Sequence, residues 1–73
     1  MGILVKRSFT LAGHRTSVAL EREFWEVLEM IAAARRRTMA SLVAEVDAGR
    51  GAERPLASAL RIFALRAGAA TRG

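Results

Sequence analysis

The stretch from Arg15 to Val46, RTSVALEREFWEVLEMIAAARRRTMASLVAEV, changes its periodicity part-way, and that change limits what the chain can build. It opens with period-two alternation. Thr16, Val18 and Leu20 fall on one parity and Arg15, Ser17 and Ala19 on the other, as in a strand with one buried and one wet face. The spacing then becomes helical, with Phe24, Val27, Leu28 and Ile31 at i, i+3, i+4 and i+7. The run Arg35-Arg36-Arg37 interrupts it, and Met39, Leu42, Val43 and Val46 begin a second short helical pattern. One strand and two short helices cannot close a core alone. The stretch needs a partner, and a second copy of itself is the natural one.

Size points the same way. A chain of 73 residues makes one small domain of marginal stability, yet 52% of it is hydrophobic. With no cysteine there are no disulfide staples and no thiolate metal sites, so association is the economical way to hide the large side chains. A cysteine-free chain also fits a reducing compartment. No segment approaches the apolar length of a membrane span. The start MGILVKRSF has too few apolar residues before Lys6 for a secretory signal, and Lys6 stands where a myristoylation pattern wants Ser or Thr. The expectation is a cytoplasmic, nucleoid-associated protein with no membrane contact.

The net charge is +5, from eleven Arg and one Lys against seven acids. Such a balance favours a polyanion, nucleic acid first, and the planar guanidinium can grip phosphate or guanine with two parallel hydrogen bonds. The charge is also segregated. Lys6, Arg7 and Arg15 precede any acid, whereas Glu21, Glu23, Glu26 and Glu29 oppose only Arg22 in the first helical pattern. The strand and the inter-helix turn are therefore basic, and the first helix is acidic outside.

In chain order, residues 1–14 form an arm or an extra strand. Phe9 and Leu11 alternate, and the phase changes at Ala12-Gly13-His14, where Gly13 permits a turn. Two readings are open: a hairpin with arms 6–11 and 15–20, or a flexible arm followed by one strand. His14 is the only histidine, so a histidine metal site or catalytic couple within one chain has no basis. Helix one is expected from about Glu21 to Ala34, with Glu21 and Glu23 at the positive end of its dipole and Trp25 half-buried at the edge of its apolar stripe. Thr38 is a suitable N-cap for helix two. The first-turn amides of Met39, Ala40 and Ser41 then make an anion site, supported by Arg36 and Arg37. Gly49 and Gly51 close this helix. A third helix follows Pro55 within residues 50–67, with Leu56, Leu60, Phe63 and Ala67 on one face; Gly68 is expected to end it, leaving 68–73 as a flexible tail.

An alternating strand, an acidic-faced helix, a basic turn and a Thr-capped helix together resemble the ribbon-helix-helix DNA-binding proteins of the Arc and MetJ type, over residues 15–49. The phrase KRSFTLAGHRTSVALEREFWEVLEMIA with the downstream LASALRIFAL is similar to a bacterial subgroup carrying an N-terminal segment and a third helix. The resemblance implies a mainly α fold with a short β ribbon. In such proteins an intertwined homodimer pairs one strand from each subunit antiparallel and lays them in the major groove. It assigns base contacts to Arg15, Ser17 and Ala19, where Arg can bind guanine bidentately, Ser can donate or accept, and Ala can pack on a thymine methyl. Phosphate contacts fall to Arg36, Arg37, Thr38, Met39 and Ala40, with Lys6 and Arg7 from the N-terminal segment. The dimer core would hold Val18, Leu20, Phe24, Leu28, Ile31, Leu42, Val43 and Val46. Three departures stand out, one of them the added segment 1–14, for which two roles are open, extending the DNA contact or shielding the ribbon. Ala19 is a weak reader, and Arg36 sits where family turns often have Gly, so a positive φ there would strain it.

The function expected is sequence-specific binding of double-stranded DNA by a homodimer acting as a transcriptional repressor. The alternative is a protein-interaction adaptor, antitoxin-like or a phage accessory factor, presenting Leu56, Ile62 and Phe63 of helix three. No cofactor, metal or catalytic residue is expected. The carboxylates lie along a solvated helix face rather than converging, and there is no Gly-rich phosphate loop.

Overall fold

A computed structural model describes residues 3–72, with side chains to residue 69; Met1, Gly2 and Gly73 lie outside the described residues. Strand β1 (Leu4–Leu11) pairs antiparallel with β2 (His14–Glu21), and helices α1 (Arg22–Ala34), α2 (Met39–Gly49) and α3 (Leu56–Arg72) follow. The hairpin reading of the N-terminal segment is the one the structure adopts. Leu11 lies opposite His14, so Ala12 and Gly13 alone make the turn, with φ of 52° and 82°. Positive φ at both central residues is the type I′ geometry, whose twist matches that of the flanking strands. Gly13 adopts it freely; Ala12 bears some strain.

Within the single chain β2 pairs with β1 on one edge. The register places Val5, Arg7, Phe9 and Leu11 opposite Leu20, Val18, Thr16 and His14. Phe9, Leu11, Val18 and Leu20 are buried against the helices. Trp25 of α1 is buried rather than half-exposed, because its indole reaches under β1: Nε1 donates to the Val5 carbonyl at 2.8 Å, and the ring packs on Phe9 at 6.0 Å between centroids. An indole N–H needs such a partner when buried.

Within one chain β1 and α3 cover the apolar faces of β2, α1 and α2. Val18, Leu20, Leu28, Ile31, Leu42 and Val43 are buried within one chain, while Phe24 and Val46 pack half-buried against that core. Helix α3 adds Leu60, fully buried, and Ala64. Leu56 also belongs to this core. It is therefore not available to a partner, which corrects the adaptor surface to Ile62 and Phe63 at most.

The helix ends follow their local chemistry. Thr38 Oγ1 accepts from the Ser41 amide at 3.0 Å and caps α2. Arg50 closes the α2–α3 connection, donating from Nε to Asp47 at 2.8 Å and from an Nη to the Arg54 carbonyl at 2.7 Å. Gly68 does not end α3, which continues to Arg72. Its neighbours Ala67 and Ala69 are strong helix formers, and the glycine serves close approach: a Cβ there would come within 2.9 Å of Val27 Cγ1. Gly68→Ala is expected to lower stability by about 1 kcal/mol despite better helix propensity, because branched Val27 is stiff. Adding Val27→Ala should make the alanine at 68 stabilising relative to glycine. Thermal unfolding of the four variants in that cycle measures the reversal of sign.

Candidate nucleic-acid interface

In a strand, neighbouring side chains point to opposite faces, so the hairpin register decides which residues share the outer surface. Lys6 lies opposite Ala19, Ser8 opposite Ser17, and Thr10 opposite Arg15. Apart from half-buried Ala19 these residues are exposed. The Ser8 and Ser17 hydroxyls meet at 2.9 Å, and Arg15 donates to Thr10 Oγ1 at 3.5 Å. That last contact is long, and it leaves most of the Arg15 donors uncommitted. The three expected base readers therefore stand in one row, with Lys6, Ser8 and Thr10 in a second row across from them.

Ser8 and Thr10 were not identified as site residues from the sequence. Their signal was parity: they alternate with the apolar Phe9 and Leu11, and only the turn at Ala12-Gly13 fixes what they face. Arg7 lies on the other side of the hairpin from Lys6. Its guanidinium sits 5.0 Å from the Trp25 ring centroid and 5.8 Å from that of Phe9, and it donates to Glu29 Oε2 at 2.9 Å. Lys6 and Arg7, paired in sequence as phosphate contacts, are thus separated by the strand's own alternation.

Glu21 ends the outer row of β2 but is held by Arg61 of α3 at 3.0 Å. Its carboxyl is held below the ordinary 4.5, first by a hydrogen bond to its own backbone amide and then by the Arg61 guanidinium. The ionised form is the one favoured by folding, so its contribution is complete above the unfolded value and disappears as pH falls through the lower folded value. Acid titration of stability should show a shallower fall below about pH 4.5 in Glu21→Gln than in the parent chain.

The second basic feature is the turn between α1 and α2. Helix α1 ends in a Schellman arrangement, with the Arg37 amide donating to the Ala32 carbonyl at 2.8 Å and the Arg36 amide to Ala33 at 3.1 Å. That motif demands a left-handed residue at its penultimate position, and Arg36 occupies it with φ of 55°. The three arginines then diverge. Arg35 lies 5.4 Å from the Phe63 ring centroid. Arg37 folds over the start of α2, donating to Ser41 Oγ and the Ser41 carbonyl and pairing with Glu45. The Arg36 side chain is exposed and has no partner among the described residues. At the helix start the Ser41 amide is taken by Thr38 Oγ1 and the Leu42 amide by the Thr38 carbonyl. Met39 and Ala40 are left as the first-turn donors with no helical carbonyl before them.

The chain thus presents a polar ribbon and a helix start flanked by one arginine that has no partner among the described residues. It offers hydrogen-bond donors and positive charge, and among the described residues there is no group of three or more His, Cys, Asp or Glu that could hold a metal. No described helix is long and apolar enough to cross a membrane. A family model for the ribbon-helix-helix domain matches residues 4–67. The chain belongs to the ribbon-helix-helix family. The match takes in β1 and α3 as far as Ala67, along with the strand and two helices between them. Ribbon-helix-helix domains are in general non-enzymatic, DNA-binding transcription regulators. No curated protein and no solved structure matches the chain significantly.

The left-handed Arg36 gives a direct stability test. Glycine meets that geometry without the Cβ clash, so Arg36→Gly should raise unfolding free energy by up to about 1 kcal/mol in chemical denaturation.

Proposed function

We propose that this ribbon-helix-helix chain is a homodimeric transcriptional repressor that binds specific double-stranded DNA sequences through its ribbon. The observation that carries the reading is the outer face of the hairpin, where Arg15, Ser17 and Ala19 form one row opposite Thr10, Ser8 and Lys6. Among the described residues β2 has a strand neighbour on one edge only, so its other edge can pair with β2 of a second copy. That joins two rows of Arg15, Ser17 and Ala19 at the centre of the sheet, the width a major groove accepts. Strands lie about 4.8 Å apart, so the flanking β1 strands come over the groove walls, where Lys6 meets phosphate.

The roles divide by chemistry. Arg15 supplies the fork for guanine, Ser17 a group that donates or accepts, and Ala19 a methyl-sized apolar contact. The amides of Met39 and Ala40, capped by Thr38, hold a phosphate and fix the register, with Arg36 adding unpaired charge. Arg37 stabilises that helix start through Ser41 and Glu45, and Arg7 holds β1 on α1 through Glu29 and Trp25. Cytoplasmic placement at the nucleoid follows from this role.

Duplex selection with the purified chain, followed by titration of selected and scrambled duplexes over a range of salt, tests the reading. Arg15→Ala should reduce the preference for the selected duplex by about 1–3 kcal/mol. Arg36→Gly should weaken all duplexes alike and lower the salt slope by about 1. DNA binding unchanged by both substitutions would refute the ribbon reading.

A further inference from the structure

The acids left without partners fall mostly on one helix. Of the seven acids, Glu21, Glu29, Glu45 and Asp47 are held by Arg61, Arg7, Arg37 and Arg50. Glu23, Glu26 and Glu53 are the described acids with no partner. Two of these three, Glu23 and Glu26, stand one turn apart on the exposed side of α1. One turn further on is Met30, 58% exposed, and beside it across the α1–α3 contact is Leu65, 65% exposed. Arg22 stands one turn before Glu26 and makes no ion pair with it. This makes a ridge with two free carboxylates and a protruding apolar side chain.

A different face carries the converse. Helices α2 and α3 enclose an open groove of about 540 Å³, floored by Val46, Ile62 and Phe63 and lined by Arg54 and Arg66. Both of those guanidiniums lack a side-chain partner, while the other charged lining groups, Glu45 and Arg50, are already paired with Arg37 and Asp47. The groove therefore presents two free positive charges around an apolar floor, and the ridge two free negative charges around an apolar tip. The residues of one surface are absent from the other, so neither can serve both roles in one contact.

We propose that the α1 ridge of one copy docks into the α2–α3 groove of another. Glu23 and Glu26 face Arg54 and Arg66 of the neighbouring copy, and Met30 enters over Ile62 and Phe63. A contact between two different surfaces is heterologous: it leaves a free ridge at one end and a free groove at the other, and so extends along a row. It needs no DNA and is separate from the β2 edge, so it stands or falls apart from the DNA-binding reading.

Sedimentation of the full chain without DNA, across protein and salt concentration, tests it. The parent chain should form species larger than a dimer that shrink as salt rises. Glu23→Arg with Glu26→Arg, and separately Arg54→Glu with Arg66→Glu, should each weaken that association by about tenfold or more, with unchanged circular dichroism. Mixing the two variants should restore the extended series with the two chains alternating, since each ridge then meets a groove of opposite charge, although neither variant associates alone. All four substitutions in one chain should restore the extended series. If a reversed chain loses its fold, Glu26→Gln alone must still weaken the association several-fold. A parent chain that never exceeds a dimer, reversed variants that associate like the parent, or a mixture that fails to pair would each overturn the proposal.

Discussion

The bond from the Trp25 indole to the Val5 carbonyl, 2.8 Å long, decides how this chain uses its first residues. A buried indole N–H without an acceptor costs on the order of 1–3 kcal/mol, so α1 is completed only when β1 lies over it. Once β1 is there, Phe9 and Leu11 enter the core and Arg7 is clamped between Trp25 and Glu29. The strand that carries Arg15, Ser17 and Ala19 then has a neighbour from its own chain. The outer face becomes two rows wide, and Ser8 and Thr10 become part of it.

That same contact explains which parts of the fold could be read from the sequence. The period change after Leu20 and the Thr38 cap are local features, and each has its cause within a few residues, whereas α2 ends on Arg50 in an extended conformation and not on a left-handed glycine. A left-handed Arg36 is a local matter too, since it belongs to the Schellman ending of α1. The burial of Trp25 is not, because a helix wheel shows α1 alone and its acceptor lies twenty residues earlier in the chain. Gly68 misled for a related reason. Glycine after an apolar run reads as a helix end, whereas here it is a helix interior facing Val27. The shared face of Arg15, Ser17 and Ala19 came directly from alternation, but the opposite facing of Lys6 and Arg7 needed the register of β1.

A second consequence concerns what a partner is for. Without β1 and α3, the apolar faces of β2, α1 and α2 would have to be covered by another copy. With them, Leu20, Leu28, Leu42 and Leu60 are fully buried inside one chain. Burial then no longer requires a dimer. What a second copy adds, on the proposed reading, is a symmetric set of readers for a two-fold operator and a way to satisfy the open edge of β2, whose unpaired backbone groups would otherwise face solvent.

The distribution of charge follows the same division between holding the fold and meeting other molecules. Arg7, Arg37, Arg50 and Arg61 each join separate elements or close a connection, and each takes up one acid in doing so. Such exposed pairs are individually weak, so their use is to fix where β1, the α2 start and α3 lie more than to add stability. The arginines with described side chains that they do not include are Arg15 on the ribbon, Arg22 on α1, Arg35 and Arg36 at the turn, and Arg54 and Arg66 in the groove. Net positive charge in this chain is therefore a remainder with an address. Arg36 shows it most clearly, since it keeps a strained backbone at a position where glycine would fit, and the side chain that strain preserves is committed to no partner within the described fold.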